Sequence, residues 1–183
     1  HESLNTRYFT SRVIEHWLQE YKLDGFRWDL SKGFTQNTQC GGSPSNESCF
    51  AAYHADRVAI WKRYYDTMQL KSPGTYCILE HFAENTEEIE LSDYGMMLWG
   101  NSNYNFSEAS MGWVPTSNFE WYLHTARGWS KPHVVGYMES HDEERIMYKN
   151  LQFGNTGNAA HNIRDLETAL RRISTFARLR VKK

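Results

Sequence analysis

Two rhythms of apolar residues alternate along the chain. Over residues 5–22, Phe9, Val13 and Trp17 recur at i+4, with Ile14 and Leu18 on a neighbouring stripe; this spacing predicts a helix. LDGFRWDL (23–30) predicts a short strand that runs into charge, and a long polar loop follows over 31–54. Val58, Trp61, Tyr65 and Met68 mark a second helix, closed near Ser72-Pro73-Gly74. TYCILEHF (75–82) predicts a second strand, 84–94 a short acidic helix, and YGMMLWGN (94–101) a third strand. An aromatic-rich loop, SNYNFSEASMGW, leads to a helix over 118–128. HVVGYMESHDEE (133–144) is the fourth strand, and Ile163, Leu166, Leu170, Ile173 and Ala177 define a closing helix over 163–180. Helices alternating with short apolar strands predict an α/β fold with a parallel sheet. No repeat, low-complexity stretch or linker divides residues 1–183.

The informative regularity is where the charges fall. Three of the four strands are apolar and then release an acid or a histidine: Asp29, Glu80 and His141-Asp142. The C-terminal ends of parallel strands carry the chemistry in α/β folds, and a closed barrel gathers them around one axis. Glu80 and Asp142 are 142 − 80 = 62 residues apart, close to two units of a (β/α)8 barrel at about 31 residues each. Carboxylates meeting at such an end suit glycoside hydrolysis, which needs one ionised carboxylate and one that delivers a proton. Arg27 lies two residues before Asp29 and so shares its strand face, a built-in cationic partner. Glu80 follows an apolar run, a setting that suits a general acid. Each of these features alone is equally an ordinary ion pair or a strand-to-loop boundary; the functional reading rests on their agreement.

Composition narrows the partners. The 183 residues carry 20 basic and 22 acidic side chains, a net charge of −2, so neither nucleic acid nor an anionic membrane surface is expected. No apolar run approaches the roughly 20 residues of a membrane helix. Aromatic residues reach 15% in a chain of mean hydropathy −0.71. Trp99, Tyr104, Phe106, Trp113 and Tyr137 are candidates for stacking on flat sugar faces, although most rings are expected in packing layers. Cys40 and Cys49 bracket a Gly/Ser/Pro-rich loop that closes either as a local disulfide or as two free thiols; Cys77 reads as a buried thiol. The disulfide alternative implies a secreted or periplasmic location. The chain begins at His1 with no visible leader and reads as a piece of something longer. NES (46–48) and NFS (105–107) match glycosylation sequons.

GFRWDLSKG, ILEHF and YMESHDEER resemble three of the signature stretches of the alpha-amylase family of glycoside hydrolases, in the right order on successive strands. The resemblance is nearest to starch-degrading bacterial amylases. It implies a partial (β/α)8 TIM barrel, roughly strands 4 to 7 with helices 3 to 7, so that residues 1–183 are the C-terminal half of a catalytic domain. Carried over by position, Asp29 is the nucleophile, Glu80 the general acid and later base, and Asp142 a carboxylate binding sugar hydroxyls. Arg27 keeps the nucleophile ionised, Lys32 contacts the leaving-group side and His141 binds hydroxyls. A retaining mechanism implies Asp29 and Glu80 about 5–5.5 Å apart.

The implied activity is a hydrolase of α-glucan or malto-oligosaccharide, within carbohydrate metabolism. A related transglycosidase or debranching enzyme, or an inactive glycan-binding homologue, are the alternatives. Gly33 departs from the family, which often has His there, and the family's first signature, an Asp-rich strand ending in Asn-His, is absent. No cofactor or metal is therefore predicted for this chain. Calcium in the full-length protein would find one ligand here, the Gly33 carbonyl, against the six to eight oxygens it takes. A metal-dependent hydrolase built on His81, Glu84, His141 and Asp142 is a further, weaker alternative. Four strands cannot close a barrel, so the isolated half-barrel is expected to be nearly inactive and to self-associate through its open edges.

Overall fold

The computed structural model describes residue 1, residues 3–35, residue 40 and residues 46–155. The helix expected over 163–180 lies outside these residues, as does most of the loop between Cys40 and Cys49.

Ser3 starts the first helix, α1 (Leu4–Glu20), its hydroxyl accepting the Asn5 N–H at 3.2 Å. The strand β1 (Gly25–Trp28) leads through a 3-10 turn at Ser31–Phe34 to the short α2 (Glu47–Ala51). Next come α3 (Ala55–Lys71), β2 (Tyr76–Leu79), α4 (Asn85–Tyr94), β3 (Met97–Asn101), α5 (Asn103–Met111), β4 (Val134–Tyr137) and α6 (Ile146–Phe153). Among the described residues the sheet is four-stranded and parallel, in the order β1-β2-β3-β4. The α/β class, the parallel sheet and all four strands agree with the apolar pattern.

Packing settles what the pattern leaves open, and some local readings change. On α1 the buried stripe is Ile14 and Leu18, whereas Phe9 and Trp17 face outward. Both stripes are apolar, and periodicity cannot choose between two adjacent stripes. NYNFSEASM forms a helix rather than a loop, because Phe106, Ala109 and Met111 are buried alongside small serines that pack like alanines. The helix expected over 118–128 is a 3-10 turn at Glu120–Tyr122 followed by turns. There the Asn118 side chain accepts the Glu120 N–H at 2.8 Å, replacing the bond a helix would supply, and Gly128 takes φ 75°.

The chain forms two compact units: His1–Trp99 with Leu123–Val135, and Gly100–Tyr122 with the described residues from Gly136 onward. The core of the first joins Ile14 and Leu18 of α1, Val58, Trp61, Tyr64 and Met68 of α3, Cys77 and Leu79 of β2, and Leu91 and Leu98. Alternation along β2 turns Cys77 and Leu79 into this core and places Ile78 and Glu80 on the opposite face. Gly25 permits the tight β1–β2 approach: a Cβ there would sit 2.6 Å from the Tyr76 carbonyl oxygen. In the second unit α5 and α6 pack together, with Asn150 Nδ2 donating to Ser110 Oγ at 3.2 Å.

Candidate active site

Register brings the first three predicted residues together. Trp28 pairs with Leu79, so Asp29 and Glu80 are the next residues past two adjacent strand ends. Arg27, one position back on β1, reaches both: Nη1 donates to Asp29 Oδ1 at 2.5 Å, and Nη2 lies 2.9 Å from Glu80 Oε1. The second contact is a close ion pair rather than an aligned hydrogen bond, and Arg27 Nε is buried without a hydrogen-bond partner. The guanidinium also stacks on Trp99, 4.0 Å from the ring centroid. Trp99, a candidate sugar platform, thus lies under Arg27. Glu80 is 7% exposed, while the Asp29 side chain is 75% exposed. One guanidinium therefore spans a buried and an exposed carboxylate.

Backbone strain marks both strand ends. Leu30, directly after Asp29, has φ 42°, and Phe82, two residues after Glu80, has φ 51°. Such left-handed conformations are costly for residues with a Cβ and cluster at functional sites. At Leu30 the result is visible: its N–H donates to Glu80 Oε2 and the following Ser31 N–H donates to the Glu80 carbonyl, both at 2.9 Å. Two successive amides grip one residue.

Behind this turn lies a buried polar ring that the apolar pattern does not announce. Ser31 Oγ is 2.7 Å from His81 Nδ1, and His81 Nε2 is 2.7 Å from Glu87 Oε1. Glu87 also accepts Arg57 Nε at 2.6 Å, Arg57 Nη2 at 2.7 Å and the His54 N–H at 2.8 Å. Arg57 spends its other donors on the carbonyls of Lys32, Phe50 and Ala52, at 2.7, 2.8 and 2.9 Å. The bond to Lys32 returns the ring to the turn beside Ser31. Ser31, Arg57, His81 and Glu87 are all fully buried. Burial alone would raise the Glu87 pKa, but the bonds from His81, Arg57 and the His54 N–H outweigh it and hold the carboxyl at about 2. For His81 burial dominates, and its pKa is lowered.

Lys32 is buried in the 3-10 turn, and its ammonium pairs with Glu47. His141 and Asp142 lie in the second unit. Both are exposed, with His141 Nε2 3.3 Å from Asp142 Oδ1. Their loop is well anchored: Glu139 accepts the Ile146 N–H at the start of α6 at 2.7 Å, and Asn103 Nδ2 donates to the Met138 carbonyl at 2.8 Å. Among the other candidate aromatic residues, Phe106 is buried, Trp113 Nε1 bonds the Phe153 carbonyl at 3.2 Å, and Tyr104 is exposed.

Cys40 and Cys49 form a disulfide. With His54 they are a trio of potential metal ligands within 4.8 Å of one another, but the S–S bond removes the thiolates that a metal binds. Cys77 is buried, which pushes its thiol up to about 12. His81 has both ring nitrogens engaged inside the protein, so the metal-hydrolase alternative loses one of its ligands. No helix among the described residues is long and apolar enough to cross a membrane. No family model matches the chain, and no curated protein matches it.

Proposed function

We propose that this chain is the C-terminal half of a (β/α)8 catalytic domain that hydrolyses α-glucosidic bonds of starch or malto-oligosaccharides with retention of configuration. The observation that supports it most is Arg27 spanning Asp29 and Glu80 at the ends of two adjacent parallel strands. In the first step an Asp29 oxygen bonds to the anomeric carbon while the glycosidic C–O bond breaks. Glu80 gives its proton to the departing oxygen. In the second step Glu80 takes a proton from water, the water oxygen bonds to the anomeric carbon, and the bond to Asp29 breaks. Arg27 favours the ionised form of Asp29 by charge.

The roles of His141 and Asp142 in binding hydroxyls rest on the resemblance of YMESHDEER alone, and Lys32 is assigned to the leaving-group side on the same ground. A near-neutral chain suits an uncharged polymer as substrate, and the Cys40–Cys49 disulfide supports a secreted or periplasmic location. Asp29→Asn in the intact protein is expected to abolish starch hydrolysis while leaving the fold unchanged; retained hydrolysis would remove the assignment.

A further inference from the structure

Ser31, His81 and Glu87 have the connectivity of a hydrolytic triad, yet all three are sealed from solvent, so no substrate reaches the serine. Proton accounting shows what the arrangement does instead. The Glu87 carboxylate already receives four hydrogen bonds, two on each oxygen, which fills its acceptor sites. It is therefore ionised, and His81 Nε2 must carry the proton it shares with Glu87. A neutral His81 then has a bare Nδ1, and the Ser31 hydroxyl donates to it. The same hydroxyl also lies 2.9 Å from the Glu80 carbonyl, which accepts the Ser31 N–H as well. All five Arg57 donors are used, and one of them closes the ring on Lys32. The ring thus ties the turn after β1 to the residue next to Glu80 through a continuous chain of buried hydrogen bonds.

We infer that Ser31 and His81 are positioning residues for Glu80: the closed Ser31–His81–Glu87–Arg57–Lys32 ring fixes the turn whose Leu30 and Ser31 amides hold the Glu80 carboxyl and carbonyl. A buried, fully satisfied polar ring stabilises a protein little more than an apolar core would, but it specifies one geometry. This inference rests on the proposed role of Glu80 as general acid.

The test uses leaving-group dependence in the intact protein. Maltopentaose needs its departing oxygen protonated; α-maltosyl fluoride does not. Ser31→Ala and His81→Asn are expected to lower kcat/KM for maltopentaose by about 10- to 100-fold, part of the 10²–10⁴ that a positioned acid supplies. For the fluoride, kcat/KM should stay within about threefold, because it reports only the steps up to formation of the glycosyl-enzyme. Ser31→Ala is the milder change and serves if His81→Asn does not fold. Equal losses on both substrates, or no loss on either, would overturn the positioning role. A wild-type protein inert toward both would remove the glycosidase reading itself, and the role of Glu80 with it.

Discussion

Glu87→Gln tests the buried ring thermodynamically. The substitution conserves volume but removes the charge and two acceptor positions, and the new amide group turns its own N–H toward Arg57 or the His54 N–H. Arg57 is left as a buried cation without its counter-ion, a change that costs about 3–5 kcal/mol. The depressed pKa of Glu87 gives a figure of the same size. Its carboxyl is held at about 2 in the folded protein against 4.5 as the ordinary value, which corresponds to about 3 kcal/mol. The sign follows from the direction: a depressed folded pKa stabilises fully above pH 4.5, and this contribution is lost as pH falls toward 2. Urea unfolding followed by tryptophan fluorescence should therefore show Glu87→Gln destabilised by about 3 kcal/mol at pH 7. The gap should narrow as pH drops from 5 to 3, through loss of wild-type stability. A difference below about 1 kcal/mol at pH 7, or one that does not change with pH, would refute the reasoning.

Two other outcomes follow from the fold. Reducing the Cys40–Cys49 disulfide, which closes a loop of sequence separation 9, is expected to lower stability by about 2–3 kcal/mol; identical urea midpoints with and without a thiol reductant would contradict this. Gly25→Ala should cost about 1–3 kcal/mol, because the new Cβ meets the Tyr76 backbone and forces β1 from β2. An unchanged thermal midpoint would contradict the close approach of the two strands at Gly25.

What could be read from the sequence divides on physical grounds. The strands were legible because each is a short apolar run, three of the four ending in charge, and Arg27, Asp29 and Glu80 were legible because a parallel register carries strand ends to the same level. The ring was not, since its members come from stretches that each look solvated. One signal was present: Arg57 lies on the stripe of α3 shared by Trp61, Tyr64 and Met68, spaced 4, 3 and 4 apart. A charge on a buried stripe demands a buried partner. Glu87 stands in the same relation to Leu91, one helical turn later. The helix Asn103–Met111 is not legible because serine and asparagine favour caps and turns when helix propensity is read alone, whereas here Asn103 and Ser110 are buried with hydrogen-bond partners, the Met138 carbonyl and the Asn150 side chain. Adjacent apolar stripes on α1 left its inward face undetermined until packing chose Ile14 and Leu18.

The most direct test of the proposed activity is chemical trapping of the nucleophile. The intact protein is incubated with a 5-fluoro-α-glycosyl fluoride, which forms a glycosyl-enzyme readily and hydrolyses it slowly, and then digested for peptide mass spectrometry. The expected result is one added glycosyl group on the peptide containing Asp29, absent from Asp29→Asn. An adduct on another residue, or starch hydrolysis that proceeds with inversion and leaves Asp29 unlabelled, would contradict it.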